Sequence, residues 1–245
     1  MHRFYHSNPL EIRQIIILDE FASHHALKVM RLKINAQLIL FNGDGYEYIA
    51  HIISINKKNI EVEILSKEKN PNESPININL FQSISSNEKM DIVIQKATEL
   101  GVSHIQPIFS TRSSIKLSHD RAKKKLSHWS RVVISACEQS GRSRLPTIKA
   151  PRSLDQITKE IKISKHSLNL VLHPHSHKKS KNLPNNHTGD INIFIGPEGG
   201  FTEDEISLLN QKNFINVQLG PRILRTETAP LAIIAILQYK YGDFA

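Results

Sequence analysis

A glycine-rich segment, residues 195–201 (IGPEGGF), contains the residue types that most directly suggest chemistry. Its three glycines permit backbone conformations, and a close approach of a ligand to the backbone, that a Cβ atom would block. The segment lacks the dinucleotide-binding spacing Gly-x-Gly-x-x-Gly, and no Gly-Lys-Ser/Thr of a phosphate-binding loop follows it. An apolar run precedes it and a helix start follows it. Two interpretations therefore stay open, a ligand-binding loop or a tight strand-to-helix turn.

A second loop, residues 219–225 (LGPRILR), repeats the Gly-Pro pair and ends on Arg225. Thr226 or Thr228 can cap the helix that follows, and Pro230 then lies in the first turn, where proline is tolerated. Taken alone, Arg225 is typical of a solvated or ion-paired charge, and only its place beside a ligand loop favours a role in chemistry.

Alternating histidines at His173, His175 and His177 suggest a metal site. No carboxylate or cysteine nearby completes a ligand set, so we expect a polar loop and no metal. The single cysteine, Cys137, excludes an intramolecular disulfide and any zinc site built from several cysteines.

The positive charge of the chain is concentrated in one place. The chain has 32 Lys+Arg and 23 Asp+Glu, a formal net charge of +9. Residues 112–152, the basic segment, hold 11 basic side chains and two acids, which accounts for the whole excess. Such a run can be a solvated helix face, but its concentration favours a polyanion-binding surface whose phosphate contacts would orient RNA or DNA.

The composition excludes several classes of protein. With 39% hydrophobic and 22% charged residues the chain is typical of globular proteins, not of disordered or fibrous ones. The most apolar run, residues 229–237, contains a proline and is too short to span a bilayer. The first residues lack the apolar core of a signal peptide. We therefore expect a soluble cytoplasmic protein.

The spacing of apolar residues predicts the strands and helices that surround the two loops. In the N-terminal part, Gln37–Phe41 and Tyr46–Ile55 flank Asn42-Gly43-Asp44-Gly45, which predicts a β-hairpin. Residues 59–65 alternate as a third strand, and residues 24–31 suit a short helix. Several short strands in so small a segment predict a compact β-barrel.

In the C-terminal part, strands and helices alternate, which predicts an α/β fold with a mostly parallel sheet covered by helices. The predicted strands are 78–84, His104–Phe109, 167–173, Ile191–Ile195 and 217–219, and the predicted helices are 87–100, His119–Ser140, 202–211 and 226–241. Thr202 and Glu205 form a predicted capping box. Ligands of such sheets bind at the carboxyl ends of the strands, where both loops lie. The expected organisation is a barrel domain at 1–70, a linker at 71–77 and the α/β domain at 78–245.

Motifs from both parts resemble one known family. They are 195–206 (IGPEGGFTEDEI), 219–228 (LGPRILRTET) and 136–144 (ACEQSGRSR), with further matches at 90–100 (MDIVIQKATEL) and 24–32 (HHALKVMRL). Together they are similar to those of RsmE-type enzymes, the 16S ribosomal RNA uracil-N3 methyltransferases of the SPOUT class.

The resemblance implies an N-terminal PUA-like barrel and a SPOUT domain whose chain forms a trefoil knot, working as a homodimer. It also implies that S-adenosylmethionine binds at the knot, against the dimer interface. The implied cofactor-binding residues are Leu172, His173, Ile195, Gly196, Glu198, Gly199, Gly200, Leu219, Gly220, Ile223, Leu224 and Arg225. His175 and Pro230 depart from the usual family pattern, so the role of position 175 is left open.

The implied reaction methylates N3 of a specific uridine in 16S ribosomal RNA of the small subunit. Loss of the N3 proton leaves negative charge on the uracil oxygens, and we expect Arg225 to stabilise it as a cation. Glu198 or Glu227 is a possible proton acceptor, although a structural hydrogen-bonding role suits either one equally well. The expected RNA-binding residues are Arg3, Arg31, Lys123, Lys124, Lys125, Arg142 and Arg144.

Two other classes of function fit the sequence less well. A non-catalytic RNA-binding ribosome assembly factor with the same fold is disfavoured by the intact Gly196, Gly199, Gly200 and Arg225. A nicotinamide-dependent oxidoreductase is disfavoured by the missing dinucleotide fingerprint.

Overall fold

The computed structural model describes residues 1–56, 59–113, 115, 118–174, 176 and 178–244. Internal contacts divide the chain into two compact units. The N-terminal unit comprises Met1–Glu73 with Ile134–Leu145, and the C-terminal unit comprises Ser74–Val133 with Pro146–Ala245. The boundaries expected at residues 70 and 78 stay predictions.

The N-terminal unit is built on a five-stranded sheet. Its strands are β1 (His2–Tyr5), β2 (Ile15–Ile17), β3 (Gln37–Phe41), β4 (Tyr46–Ile55) and β5 (Ile60–Lys69), in the spatial order β1-β3-β4-β5-β2. The β3–β4 pair is antiparallel, so the predicted hairpin is confirmed. On β5 the alternating Ile60, Val62 and Ile64 are buried in the core of the unit, because successive side chains of a strand point to opposite faces.

The short helix of this unit begins earlier than predicted. Helix α1 (Glu20–His24) continues into a turn of π-helix, His25–Val29, in place of one helix over 24–31. The Asp19 carboxylate accepts a hydrogen bond from the Ala22 backbone N–H at 2.7 Å and thereby caps the helix. The apolar spacing that located the helix gave no sign of this cap.

The C-terminal unit holds a parallel sheet. Its strands are β6 (Ile78–Ser83), β7 (His104–Phe109), β8 (Thr147–Ile148), β9 (Arg152–Ser153), β10 (Leu168–Leu172), β11 (Ile191–Ile195) and β12 (Ile215–Val217). The order is β12-β10-β11-β6-β7-β8, with β9 also pairing β7, and every pairing is parallel. The predicted parallel α/β fold is therefore confirmed.

Among the described residues, five α-helices accompany this sheet in the sequence. They are α2 (Asn87–Glu99), α3 (His119–Ser140), α4 (Leu154–Glu160), α5 (Glu203–Gln211) and α6 (Thr228–Tyr241). The predicted capping box at the start of α5 is confirmed by reciprocal hydrogen bonds between Thr202 and Glu205. The sequence interpretation missed α4, a helix of seven residues with its own capping box at Ser153, because so short a segment shows little apolar period.

Two predicted boundaries shift near the second loop. The last strand is Ile215–Val217, not 217–219, so Leu219 belongs to the loop. Helix α6 begins at Thr228, with Glu227 at its N-cap in helical backbone conformation and with no capping bond from a side chain. The expectation that Thr226 or Thr228 caps this helix is wrong, because the Thr226 hydroxyl is engaged in a different contact, described below.

Aromatic side chains pack together beside the central strands of this sheet. Phe81 on β6 and Phe194 on β11 stack with ring centroids 4.3 Å apart, and Phe214 meets Phe194 edge-on at 4.9 Å. Because β12, β10, β11 and β6 are neighbours in that order and run parallel, the segments that follow them leave from one edge of the sheet.

Within the described residues, no helix has the length and apolar character needed to cross a membrane.

Candidate active site

A cavity of about 330 Å³ lies in the C-terminal unit at the carboxyl ends of β10, β11 and β12. It brings together eleven of the twelve residues that the sequence interpretation assigned to a cofactor. These are Leu172, His173, Ile195, Gly196, Glu198, Gly200, Leu219, Gly220, Ile223, Leu224 and Arg225. The twelfth, Gly199, lies in the same loop, where its carbonyl oxygen accepts a hydrogen bond from Arg112 Nη1 at 2.8 Å.

Two glycines leave room in this cavity. Gly200 has φ +68°, in the left-handed region that favours glycine, and its backbone N–H donates to the Pro197 carbonyl at 2.8 Å. An ideal Cβ placed on Gly200 or on Gly220 meets no atom within 4 Å. The first loop is therefore a tight turn that also borders the cavity, and its role as a ligand-binding loop stays a prediction.

A buried hydrogen-bond chain joins the two loops. The Thr226 hydroxyl donates to the Gly196 carbonyl oxygen at 2.9 Å, and Gln82 Nε2, at the end of β6, donates to Thr226 Oγ1 at 3.2 Å. Gln82 is fully buried and Thr226 is 6% exposed. These bonds connect the end of β6 and the residue after β11 to the segment that leads into α6.

A charged cluster lies at the start of α2 and α6. Lys89 lines the cavity, and its Nζ donates to Glu198 Oε1 at 2.8 Å and lies 3.7 Å from Glu227 Oε2. Burial is the largest single influence on the pKa of the Glu198 carboxyl and would raise it. The hydrogen bond from Lys89, a hydrogen bond from the backbone and the positive charge of Lys89 together outweigh burial and hold that pKa below its ordinary value. Glu198 is therefore ionised at neutral pH.

The two possible proton acceptors occupy different surroundings. Glu198 lines the cavity, and its side chain is 45% exposed. Glu227 Oε2 is buried and has no hydrogen-bond partner among the described residues, and Glu227 is not among the residues that line the cavity. The geometry therefore favours Glu198 for contact with a bound ligand and Glu227 for balancing the charge of Lys89.

Sequence reasoning missed Lys89 and Gln82, and it assigned Thr226 only to helix capping. Lys89 lies on the polar side of a helix whose apolar period alone was considered, and Gln82 ends a strand that is distant in sequence from both loops. Both Lys89 and Gln82 lie at or just after the end of β6, and ligands of such sheets bind at strand ends. The sequence could not use this signal, because only the strand order places β6 beside β11.

Two of the predicted RNA-binding arginines are engaged within the N-terminal unit, Arg142 buried and Arg3 partly buried. Arg142 is 5% exposed, and its Nε and Nη2 donate to Glu73 Oε2 at 3.2 and 3.1 Å. Arg3 forms an ion pair with Glu47 and donates to the Arg142 carbonyl oxygen at 3.0 Å. These side chains hold the segment around Arg142 in place, so we leave both arginines out of the RNA-binding set proposed below.

The other predicted RNA-binding residues are more accessible. Arg31, at φ +53°, and Arg144 are exposed on the N-terminal unit. Lys123 and Lys124 are exposed on α3, whereas Lys125 is partly buried and donates to Asn87 Oδ1 at 2.5 Å.

The described residues contain no group of three or more His, Cys, Asp or Glu side chains that could hold a metal ion. Of the alternating histidines, His173 lines the cavity, while His175 and His177 lie outside the described residues.

Comparison with known proteins agrees with this architecture. Residues 72–238 match the model of an RNA methyltransferase domain, and residues 18–65 match that of an RNA methyltransferase PUA domain. The chain is 40% identical over 243 residues to ribosomal RNA small subunit methyltransferase E of Buchnera aphidicola subsp. Schizaphis graminum, covering 99% of this chain and 98% of the relative.

Solved structures give the same result. One is ribosomal RNA small subunit methyltransferase E from Neisseria gonorrhoeae bound to S-adenosyl methionine, with a TM-score of 0.92, 39% identity and complete coverage of both chains. Another is a Legionella pneumophila methyltransferase with bound cofactor SAM, with a TM-score of 0.92, 39% identity and coverage of 99% and 98%. The chain therefore belongs to the ribosomal RNA small subunit methyltransferase E family.

Proposed function

We propose that this protein transfers a methyl group from S-adenosylmethionine to N3 of one specific uridine in 16S ribosomal RNA. The observation that carries the proposal is the cavity in which the two glycine loops meet Arg225 and Glu198, in a chain of this family. The N3 position and the single uridine come from the family resemblance described above.

The residues of the cavity fit S-adenosylmethionine. Leu172, Ile195, Leu219 and Leu224 provide apolar walls, and the open positions beside Gly200 and Gly220 let the backbone approach a flat ligand. When bound, the cofactor supplies an activated methyl group on a sulfonium. The remaining task of the protein is to align the uracil ring and to handle one proton.

Arg225 and Glu198 have complementary roles in that task. The Arg225 guanidinium, exposed at the edge of the cavity, stabilises the negative charge that spreads onto the uracil oxygens as the N3–H bond breaks. The Glu198 carboxylate, ionised and facing the cavity, accepts the proton.

RNA binding falls to the exposed cations of the chain. We assign Arg31 and Arg144 of the N-terminal unit and Lys123 and Lys124 of α3 to phosphate contacts, with the partly buried Lys125 beside them. Such contacts provide affinity and orientation but no sequence information. The match to a PUA domain of RNA methyltransferases supports an RNA-contacting N-terminal unit.

The proposal includes a homodimer and the knotted chain path that the resemblance implies. In support, Ile223, which lines the cavity, is 76% exposed, and Tyr239 on α6 is 69% exposed, so two large apolar side chains of the C-terminal unit have little cover from their own chain.

The decisive experiment incubates the purified protein with S-adenosylmethionine and small subunits that lack the modification. Mass spectrometry of 16S RNA nucleosides should show one N3-methyluridine per subunit, and naked 16S RNA tested in parallel identifies the preferred substrate. Absence of this nucleoside from both reactions, with S-adenosylmethionine bound in calorimetry, would favour the non-catalytic assembly factor.

Arg225→Ala tests the proposed role of the arginine. At saturating cofactor, we expect its single-turnover rate to fall about 100-fold or more, the usual effect of removing one donor to a developing anion. An unchanged rate would rule out the assigned role.

A further inference from the structure

Lys89 is a second cation on the cavity that contains Arg225. It lies in the first turn of α2, and its side chain is 25% exposed. Lys89 and Arg225 both line the cavity, one from the segment after β6 and the other from the segment after β12. None of the motifs in the sequence indicated this meeting.

Two carboxylates fix the position of the Lys89 ammonium. Glu198 accepts its hydrogen bond at 2.8 Å and Glu227 Oε2 lies 3.7 Å away. An ammonium has three N–H donors, and the contact with Glu198 engages one of them. Glu227 Oε2 is buried and has no hydrogen-bond partner among the described residues, so its negative charge acts on the ammonium at this distance.

The lysine remains protonated in these surroundings. The hydrogen bond to Glu198 raises the pKa of Lys89, and the negative charges of Glu198 and Glu227 add to that effect against desolvation and the positive charge of Arg225. Lys89 and Arg225 line the same cavity, which agrees with the opposing effect of the arginine. His173 and Arg222 are the other ionisable side chains that line the cavity among the described residues.

Uracil N3 lies between two carbonyl groups. When N3 loses its proton, the negative charge spreads onto O2 and O4, on opposite sides of the nitrogen. One guanidinium beside one oxygen leaves the other oxygen without a cation. A cavity that presents two cations therefore matches the imide anion better than a cavity with one.

We propose that Lys89 is a catalytic residue that binds one uracil oxygen while Arg225 binds the other. This inference rests on the proposed function. In the step, the N3–H bond breaks and its proton passes to the Glu198 carboxylate. The N3 lone pair forms the bond to the methyl carbon as the carbon–sulfur bond breaks, which leaves a neutral thioether.

Lys89→Met and Lys89→Arg test the proposal, with Lys96→Met as the matched control. Lys96 lies on the same helix and pairs with Glu99 at 2.8 Å, away from the cavity-lining residues. The measurements are S-adenosylmethionine affinity by calorimetry, thermal stability, and the single-turnover rate on small subunits as a function of pH.

For Lys89→Met we expect cofactor affinity within about twofold of wild type and a rate about 100-fold lower at neutral pH. A cation beside the base lowers the apparent pKa of N3, so the rate rises with pH as N3 loses its proton. Removal of the Lys89 cation should shift this rise to higher pH. Lys89→Arg, which keeps the cation, should recover most of the rate, and Lys96→Met should behave as wild type.

Three outcomes would overturn the proposal. Equal rates for wild type and Lys89→Met would show that the lysine does not act on the base. A loss of cofactor affinity that matches the loss of rate would assign Lys89 to the cofactor carboxylate instead. A lower rate with an unshifted pH profile in a stable variant would mean that Lys89 only maintains structure. The proposed function fails separately, if wild type itself forms no N3-methyluridine.

Discussion

The hydroxyl of Thr226 donates to the carbonyl oxygen of Gly196 at 2.9 Å, across 30 residues of sequence. This bond ties the first cavity loop to the residue between Arg225 and Glu227. Because Gln82 Nε2 donates to the same hydroxyl, the position of the proposed catalytic arginine depends on a fully buried glutamine of β6.

Thr226→Val should therefore lower stability and catalysis together. Valine has the shape of threonine but no hydroxyl, so the Gly196 carbonyl oxygen loses its donor and Gln82 Nε2 loses its acceptor in Thr226. We expect the free energy of unfolding to fall by about 1–3 kcal/mol. Urea denaturation measures the loss. Thr226→Ser retains the hydroxyl and should stay within about 1 kcal/mol of wild type, whereas equal stability of the valine variant would show that the bond contributes little.

Gly220→Val should weaken cofactor binding without unfolding the protein. Gly220 does not have positive φ and has open space where its Cβ would lie, so the added side chain strains no backbone and enters the cavity. Overpacking of about 1–3 kcal/mol corresponds to a rise of about five- to 150-fold in the Kd for S-adenosylmethionine, measured by calorimetry.

Gly200→Ala separates backbone strain from cavity filling. At φ +68° an alanine should cost about 1–2 kcal/mol of stability, because left-handed backbone crowds its Cβ. A Gly220→Val protein as destabilised as Gly200→Ala would argue against the open position assigned to Gly220.

Arg142→Ala should destabilise the N-terminal unit strongly. Its removal leaves Glu73, only 17% exposed, without the guanidinium, and breaking a buried pair costs about 3–5 kcal/mol. The control is Arg152→Ala, which breaks an exposed pair with Glu160 and should cost about 1 kcal/mol or less. Similar denaturation midpoints for the two variants would contradict a structural role for Arg142.

Cys137 should be inert in the folded protein. Desolvation raises the pKa of this buried thiol from 9.0 to about 12, so almost no thiolate forms near neutral pH. Iodoacetamide should label the single cysteine only after unfolding, as followed by mass spectrometry. Between pH 9 and pH 12 the unfolded thiol ionises while the folded one stays neutral, so stability should fall as pH rises through this range. Rapid labelling at pH 8 under native conditions would show that the site opens.

The double change Lys123→Gln with Lys124→Gln should weaken RNA binding and flatten its salt dependence. Neutralising one lysine that binds a phosphate lowers the slope of log affinity against log salt by about 0.7–0.9, so neutralising two lowers it by about 1.5. Filter binding over a salt series measures this slope. The charge-matched control, Lys159→Gln with Lys162→Gln, removes two exposed lysines outside the basic segment and should leave the slope unchanged.

Local patterns in the sequence were enough to determine most elements of the fold. The hairpin at 42–45, the capping box between Thr202 and Glu205, and the buried strand Ile191–Ile195 all follow from side-chain periodicity and backbone preference within about ten residues. The same local signals marked the two glycine loops. Their residue types also carried the family resemblance that the comparisons confirmed.

Only the tertiary structure decided which side chains meet. Lys89 and Gln82 belong to the cavity region because β6 pairs with β11, a contact across more than 100 residues that no local pattern encodes. Likewise, the charge of Arg142 predicted an exposed cation, but the carboxylate of Glu73, distant in sequence, holds it buried. Periodicity reports which face of an element is apolar, whereas strand order and ion pairing depend on long-range contacts formed when the whole chain packs.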